Sequence, residues 1–373
     1  MKKLLIISPT PTHPTNAGNR QCILSFADLL KEIGYEIYFM YVTYNTNDNS
    51  FNLTKEYWKE YFIYKEITPI QKLLTKIIRK IINSQGVDLY MFQPWMFKKF
   101  IKEIDQKYKF DSVLINYIWL SNLASSFKTD RISLFTHDVF TFRNLRLMGK
   151  YWFSCTPNQE AKCINRVKNV LAIQEQETIY YKYLSYKAKV YCVYSPFKFT
   201  QKNISCNKNI LFFSGPNIIN IAAIKNFISR IMPSIVKEIP NIRLYIGGGI
   251  CNELKNDNFE EYIILKGQYD NPDDFYNIGD ICINPINEGT GLKIKTFEAL
   301  SYGKTVIASK HSIEGVYNQL NCPVLIAETA NEYVNYIKEY LTNKDKLIVK
   351  REDARKYINE LNNYISNTLK AII

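Results

Sequence analysis

Asn284-Pro-Ile-Asn-Glu-Gly-Thr-Gly-Leu-Lys-Ile-Lys-Thr-Phe-Glu-Ala-Leu-Ser-Tyr-Gly303 is a strand end, a glycine loop and a helix in succession. The run Asp280-Ile281-Cys282-Ile283-Asn284 reads as a short buried strand, Pro285 stops it, and Gly289-Thr290-Gly291 lets the backbone approach a ligand closely. A helix is predicted from about Leu292. Its free N–H groups and its dipole favour a phosphate or diphosphate over the loop. Lys295 is four residues past Gly291 and Glu298 seven past it, so a helix places both near the face beneath the loop. The cation suits phosphate, and the carboxylate suits a vicinal diol such as a ribose. The same spacing also fits a solvated i,i+3 pair on an ordinary amphipathic helix, worth about 0.2–0.5 kcal/mol. Spacing alone leaves both readings open.

At 373 residues the chain can bury two cores of ordinary size. Its 46% hydrophobic and 22% charged residues are those of a globular protein, and no apolar run reaches the roughly 18 residues of a spanning helix. The opening Met1-Lys-Lys-Leu-Leu-Ile-Ile-Ser-Pro9 has too short an apolar run for a signal peptide and reads as the first strand. Eight cysteines without a CxxC pair, and three histidines in all, predict a reducing cytoplasm and no metal site. The net charge of +13 is uneven: residues 1–200 hold 28 basic against 16 acidic side chains, residues 201–373 hold 20 against 19. The first half therefore faces an anionic partner, and charge alone allows nucleic acid, a membrane or a phosphorylated acceptor.

Along the first half, Lys3–Ser8 and Glu36–Thr43 are predicted strands around an amphipathic helix at Arg20–Ile33, which is how a doubly wound α/β domain begins. No GxGxxG is present, which disfavours an NAD site. Residues 45–66 are polar and aromatic without a clear period, and a strand is expected near Tyr61–Tyr64. In Pro69–Ile82 the residues Ile70, Leu73, Leu74, Ile77, Ile78, Ile81 and Ile82 form one stripe opposite Lys72, Lys76 and Lys80, as either a core helix or a docking helix. A second basic stretch covers Phe97–Lys109. Ser112–Asn116, Ile132–Thr136, Val170–Ile173 and Lys189–Val193 complete a parallel sheet of six or seven strands. His137 follows a strand directly, where such sheets place their sites, although a structural histidine fits the position equally simply. Ser195–Asn207 lacks periodicity and reads as the linker. Beyond it come a strand at Asn209–Ser214, a turn at Gly215-Pro216-Asn217, one helix over Ile221–Ile239, strands at Ile242–Ile246 and Tyr262–Leu265, and a last strand at Thr305–Ser309. Helices are predicted at Ala330–Leu341 and Asp345–Leu369.

The stretch Gly289–Ser309 resembles the donor-site signature of glycosyltransferase family 4, the group 1 glycosyl transferases. The resemblance implies an α/β GT-B fold, two Rossmann-like domains facing across a cleft. It implies a nucleotide-sugar diphosphate held by the backbone of Gly289, Thr290 and Gly291, with Lys295 on phosphate and Glu298 on the ribose hydroxyls. Many members separate two motif glutamates by seven residues; nine separate Glu288 from Glu298 here, and Glu288 is the candidate beside the donor sugar. Relatives often carry Lys or Arg after the first strand of the donor domain. That cation is missing from the turn, so Asn217 or Asn220 is the candidate substitute, and the backbone after Gly267 is implied to hold the base. Pro9–Arg20 is similar to the family's first loop, implying Gly18 at the donor phosphate and acceptor, with His13, Asn19 and Arg20 on the acceptor side. Leu134–Phe140 is similar to a segment whose histidine, here His137, lies near the transferring sugar, and Ala172–Glu177 is similar to a later segment for which no role follows.

The domains expected are 1–200 for the acceptor, 201–350 for the donor, and 351–373 as a helix packing back towards the first. The activity expected is retaining transfer from a nucleotide sugar to a saccharide or lipid-linked acceptor in bacterial surface polysaccharide synthesis, with no cofactor, no metal and no nucleic acid partner. No carboxylate in the first half is an evident nucleophile, which favours a front-face path over double displacement. The charge of the first half and the Pro69–Ile82 stripe point to peripheral docking on an anionic membrane from the cytoplasm. A nucleotide-sugar 2-epimerase on the same fold needs cleft acid/base groups, for which only His13 and His137 are candidates. A non-enzymatic basic binding protein leaves the Gly-Thr-Gly, Lys295 and Glu298 order unexplained.

Overall fold

The computed structural model describes residues 1–15, 17–82, 94–143, 145, 154–201, 203–205, 207–269, 271–289 and 292–373. The chain forms two compact units, Met1–Pro196 with Tyr364–Ile373, and Phe197–Asn363.

The first unit is built on a seven-stranded sheet: β1 (Lys2–Ser8), β2 (Tyr35–Thr43), β3 (Phe62–Glu66), β4 (Ser112–Asn116), β5 (Ile132–Phe135), β6 (Asn169–Ala172) and β7 (Lys189–Cys192). Its order is β3-β2-β1-β4-β5-β6-β7, and every pairing is parallel, Leu4 lying opposite both Ile37 and Ser112. Parallel strands covered on both faces need unbroken apolar runs, and β1 and β4 supply Leu4–Ile7 and Val113–Ile115, all buried. Leu5, Ile7, Val113 and Ile115 pack with Met40, Phe97 and Leu134 in one core cluster on one face of the sheet.

Three elements depart from the sequence reading or fill its gaps. Residues 45–60 contain the helix Asn49–Trp58, capped by the Asp48 carboxylate on Ser50 N–H and burying Phe51, Thr54 and Trp58. Leu120 and Leu123 are buried in a 3₁₀ stretch, Ile118–Ser126, that follows β4. The helix Pro69–Ile82 leaves its apolar stripe outside: Ile70 and Leu73 are 71% and 58% exposed, while Thr75 is buried and reaches Met96 Sδ at 3.9 Å. A core role for the stripe is thereby corrected. The exposed Leu74 and Ile77 widen the uncovered face, and Trp95 adds an aromatic where the next helix, Pro94–Tyr108, begins.

The second unit repeats the plan with six parallel strands: β8 (Asn209–Phe213), β9 (Arg243–Gly247), β10 (Ile263–Leu265), β11 (Ile281–Asn284), β12 (Thr305–Ala308) and β13 (Leu325–Ile326), in the order β10-β9-β8-β11-β12-β13. Phe212, Ile224, Phe227, Ile246 and Ile281 lie in its core. β12 does not end this sheet, since Ile307 and Ala308 pair with Leu325 and Ile326 of β13. The single helix predicted at Ile221–Ile239 is two, Ile218–Arg230 and Met232–Glu238; Pro233 opens the second and cannot supply the N–H a continuous helix needs. In both sheets the winding reverses beside the first strand, at β1/β4 and at β8/β11, and open α/β sheets bind ligands beyond the strand ends at such a point.

Candidate functional site

In the second unit four strand-end loops are stitched together beyond β8, β9, β10 and β11. Gly248 has φ +93°, and a side chain there would begin 2.3 Å from the Ser214 carbonyl oxygen, so only glycine fits. Its N–H donates to the Gly267 carbonyl at 2.8 Å, and Ile250 N–H donates to the Ser214 carbonyl at 3.2 Å. Gly267 itself has φ +76°. Lys295 then ties β11's helix to β8, its ammonium donating to Ser214 Oγ at 3.1 Å and Asn220 Oδ1 at 2.9 Å over the Phe212 ring.

The β11 exit is held by buried hydroxyls. Asn284 Nδ2 donates to Thr296 Oγ1 at 2.8 Å, and Thr296 Oγ1 donates to the Ser312 carbonyl at 3.2 Å. The Ser309 and Ser312 hydroxyls both reach the Ile286 carbonyl. Farther along, His311 Nε2 lies 3.1 Å from the Gly289 carbonyl, at a glycine with φ +102° whose Cβ position is 3.0 Å from Ile219 Cδ1. Thr290 and Gly291 lie outside the described residues. The helix Ile294–Ser301 begins two residues later than predicted, with Lys293 at its cap.

Lys295 and Glu298 keep part of their surface in solvent, but their charged ends are enclosed. Burial pushes the Lys295 ammonium down to about 7, aided by Lys293 and opposed by Glu298. Burial likewise pushes the Glu298 carboxyl up to about 7 against the pull of Lys295 and of a hydrogen bond from Tyr276. Tyr276 is stacked on Tyr302 with ring centres 4.3 Å apart, which fixes the donor to Glu298. A solvated surface pair shows no such shifts. The arrangement can take up an anion beside a group that accepts from hydroxyls, and such perturbed pairs mark functional sites.

The remaining second-unit candidates are placed differently. Asn217 Oδ1 accepts from Ile219 N–H at 2.8 Å, so it caps the helix Ile218–Arg230, and Asn220 is the asparagine that reaches Lys295. Glu288 is exposed.

In the first unit Asn19, Tyr117 and His137 come together beyond β1, β4 and β5. Asn19 Nδ2 donates to Tyr117 Oη at 3.0 Å, and the Tyr117 ring stacks on His137 at 4.3 Å. His137 has φ +65°, and its Nε2 is 2.8 Å from Asn116 Oδ1. Asn116 Nδ2 donates to the Ile7 carbonyl, so Oδ1 is an acceptor and His137 carries its proton on Nε2. Burial pushes this imidazole down to about 3, so it is neutral at physiological pH and Nδ1 is left as an acceptor. Gly18 opens the helix Gly18–Glu32. His13 and Arg20 form a separate group: His13 packs on Tyr57 at 4.3 Å, and Arg20 donates to the Pro14 carbonyl and Ser50 Oγ.

Sequence reasoning passed over Tyr117, Tyr276, the Ser309/Ser312 hydroxyls and Glu160. Glu160 is fully buried; its carboxylate accepts from Phe140 N–H at 2.9 Å, Thr141 N–H at 3.0 Å and the Thr141 hydroxyl at 2.6 Å, fixing the segment after His137. Its one sequence signal is the Thr156–Gln159 capping box, which sets the helix that carries it.

Residues 207–343, which contain the whole stitched site, match the family described as glycosyl transferases group 1. The second unit carries a group 1 glycosyl transferase domain. The transferase is 25% identical over 370 residues, 92% of each chain, to an uncharacterized 44.6 kDa protein in the cps region of Klebsiella pneumoniae. Among solved structures it is similar to sucrose-phosphate synthase from Thermosynechococcus elongatus (TM-score 0.69, 14% identity, 100% of this chain and 98% of that one). It is also similar to Anabaena HepE in complex with UDP (TM-score 0.64, 13% identity, 100% of each chain). A third likeness is to TarM (TM-score 0.66, 10% identity, 100% of this chain and 98% of that one). The fold of the transferase is GT-B.

Proposed function

We propose that the transferase is a retaining family 4 enzyme that moves a sugar from a nucleotide-sugar donor to a saccharide or lipid-linked acceptor during capsule or related surface polysaccharide synthesis. The observation that carries this reading is the enclosed Lys295/Glu298 pair at the Gly289 loop: an ammonium for the diphosphate and a carboxylate for the ribose. The related structures support a uridine nucleotide, since HepE was captured with UDP-glucose and TarM with UDP and a GlcNAc-glycerol. The cps-region relative supports the capsule setting. The second unit takes the donor and the first the acceptor. No cofactor or metal takes part: diphosphate charge is met by the lysines and by backbone N–H groups at the Ile294–Ser301 helix. Neutral His137 faces the sugar with Nδ1 as an acceptor. A thermal-shift screen of nucleotide sugars, followed by turnover in excess EDTA, tests the reading. Stabilisation by one donor and turnover without added metal are expected; no stabilisation by any nucleotide sugar would remove its basis.

Docking on an anionic membrane from the cytoplasmic side belongs to the same proposal. Ile70, Leu73, Leu74 and Ile77 are exposed on a helix whose flanks carry exposed Lys72 and Lys76, and Lys98 and Lys99 are exposed on the helix it packs against. No helix among the described residues is long and apolar enough to cross a membrane, so the attachment proposed is peripheral. Each basic residue at such a surface contributes about 1 kcal/mol. Vesicle sedimentation is expected to show binding that needs anionic lipid, weakens with salt, and falls at least tenfold in a K72E/K76E variant. Equal binding to neutral and anionic vesicles would reject it.

A further inference from the structure

His311 sits in the 3₁₀ turn Lys310–Ile313, directly after β12, with its ring between two oxygens. Nε2 is 3.1 Å from the Gly289 carbonyl and Nδ1 is 3.0 Å from Glu314 Oε2. A backbone carbonyl and an ionised carboxylate can only accept. A neutral imidazole has one N–H and satisfies one of them, whereas an imidazolium satisfies both, with charge-assisted bonds. The turn that carries the ring is itself anchored: the Ser309 side chain accepts from Ser312 N–H, and both hydroxyls reach the Ile286 carbonyl, three residues before Gly289. The same turn thus grips the β11 exit at two carbonyls, the first through neutral hydroxyls and the second through an ionisable ring.

We infer that His311, oriented by Glu314, is a positioning residue for the donor loop, whose imidazolium holds the Gly289 carbonyl and so sets the loop for a nucleoside diphosphate. The inference rests on the donor reading of this loop. It goes further in giving the loop a proton-dependent latch that is separate from the groups touching the ligand. Gly289 lies in the left-handed region, and without a Cβ it can leave that region at little steric cost, so a hold on its carbonyl restrains the loop. Glu314 from its own turn bonds the ring, and Lys293, whose ammonium lies 3.8 Å from the Gly289 Cβ position, is a cation beside the same glycine. Lys295 and Glu298 titrate near neutral pH, so the latch is read as a difference between wild type and variant, both of which retain them.

The test is calorimetric binding of UDP, ADP, GDP and TDP to the full chain, taking the tightest, from pH 5.5 to 8. His311→Gln retains an N–H donor group and no charge; Glu314→Gln, at a half-exposed position, removes the orienting charge. Wild type is expected to bind about tenfold more tightly than either variant at pH 5.5, the worth of one charge-assisted hydrogen bond, and the ratio is expected to close towards one at pH 8. Hydrogen exchange of a peptide spanning 286–293 should be faster in both variants without ligand. A ratio independent of pH, or affinities equal to wild type at pH 5.5, would overturn the latch. Failure of wild type to bind any nucleoside diphosphate would instead remove the donor reading, and the latch with it.

Discussion

Glu298→Ala is expected to weaken nucleotide-sugar binding about a hundredfold or more while the empty protein stays folded. Hydrogen bonds to a charged partner are worth about 1.5–3 kcal/mol each, and two to a ribose exceed the roughly 2.8 kcal/mol of a hundredfold change. Glu298→Gln still accepts from Tyr276 and should lose about tenfold, the share due to charge. The same variants report on stability against pH. Glu298 is raised from its ordinary 4.5 to about 7, so its contribution is fully present below 4.5 and is lost as pH climbs to 7. Lys295 is lowered from 10.5 to about 7, so the unfolded chain binds more protons between 7 and 10.5 and stability recovers across that window. The pair therefore favours the empty fold least near neutral pH, where a bound diphosphate and ribose would favour its charged forms most. Melting curves should show the fall from pH 4.5 to 7 flattened in Glu298→Ala. Unchanged donor affinity in that variant would refute the ribose role.

Glu160→Ala should give the largest loss of stability, about 3–5 kcal/mol. It strands the buried backbone N–H of Phe140 and the part-buried one of Thr141, and a buried polar group left without a partner costs about 1–3 kcal/mol. The Thr141 hydroxyl loses its acceptor too, and the Tyr181 hydroxyl, 3.0 Å from the carboxylate, loses a neighbour. In a unit of this size the melting temperature would drop by roughly 10 °C. Scanning calorimetry decides it, and a shift under 2 °C would show that solvent or a rearranged side chain replaces the carboxylate.

How much could be read from the residues depends on whether the interaction is local. The strand–loop–helix at 281–301 was legible because its apolar run, its proline stop and its glycines are contiguous. The parallel sheet of the first unit was legible for the same reason, since Leu4–Ile7 and Val113–Ile115 are unbroken apolar runs. The helix Asn49–Trp58 was not, because Thr54 on its buried face reads as polar. The stripe of Pro69–Ile82 announced an amphipathic helix but not which face meets the protein; Thr75 and Met96 settle that, 21 residues apart. The β13 strand has two residues and leaves no periodic trace. The partners of His311 and Glu160 were out of reach because Gly289 and Phe140 lie about 20 residues away and are brought near only by the turns after β12 and β5. The perturbed charges of Lys295 and Glu298 come from enclosure, which spacing along a helix does not report.

The helix Lys344–Ile372 closes the first unit's core from the far end of the chain. Ile365, Leu369 and Ile373 are buried, Ser112 Oγ donates to the Ile373 carbonyl at 3.1 Å, and Tyr364 Oη donates to the Cys192 carbonyl at 3.1 Å. During synthesis, residues 1–196 therefore leave the ribosome without the segment that seals them, and the whole of 197–363 is made before it arrives. Domains made first usually fold first, but here the earlier one waits for the later. A chain released after residue 363 would carry a finished second unit and an open first one, lacking the buried Ile365, Leu369 and Ile373 and the hydrogen bonds to Ser112 and Cys192 that the last ten of these residues bring.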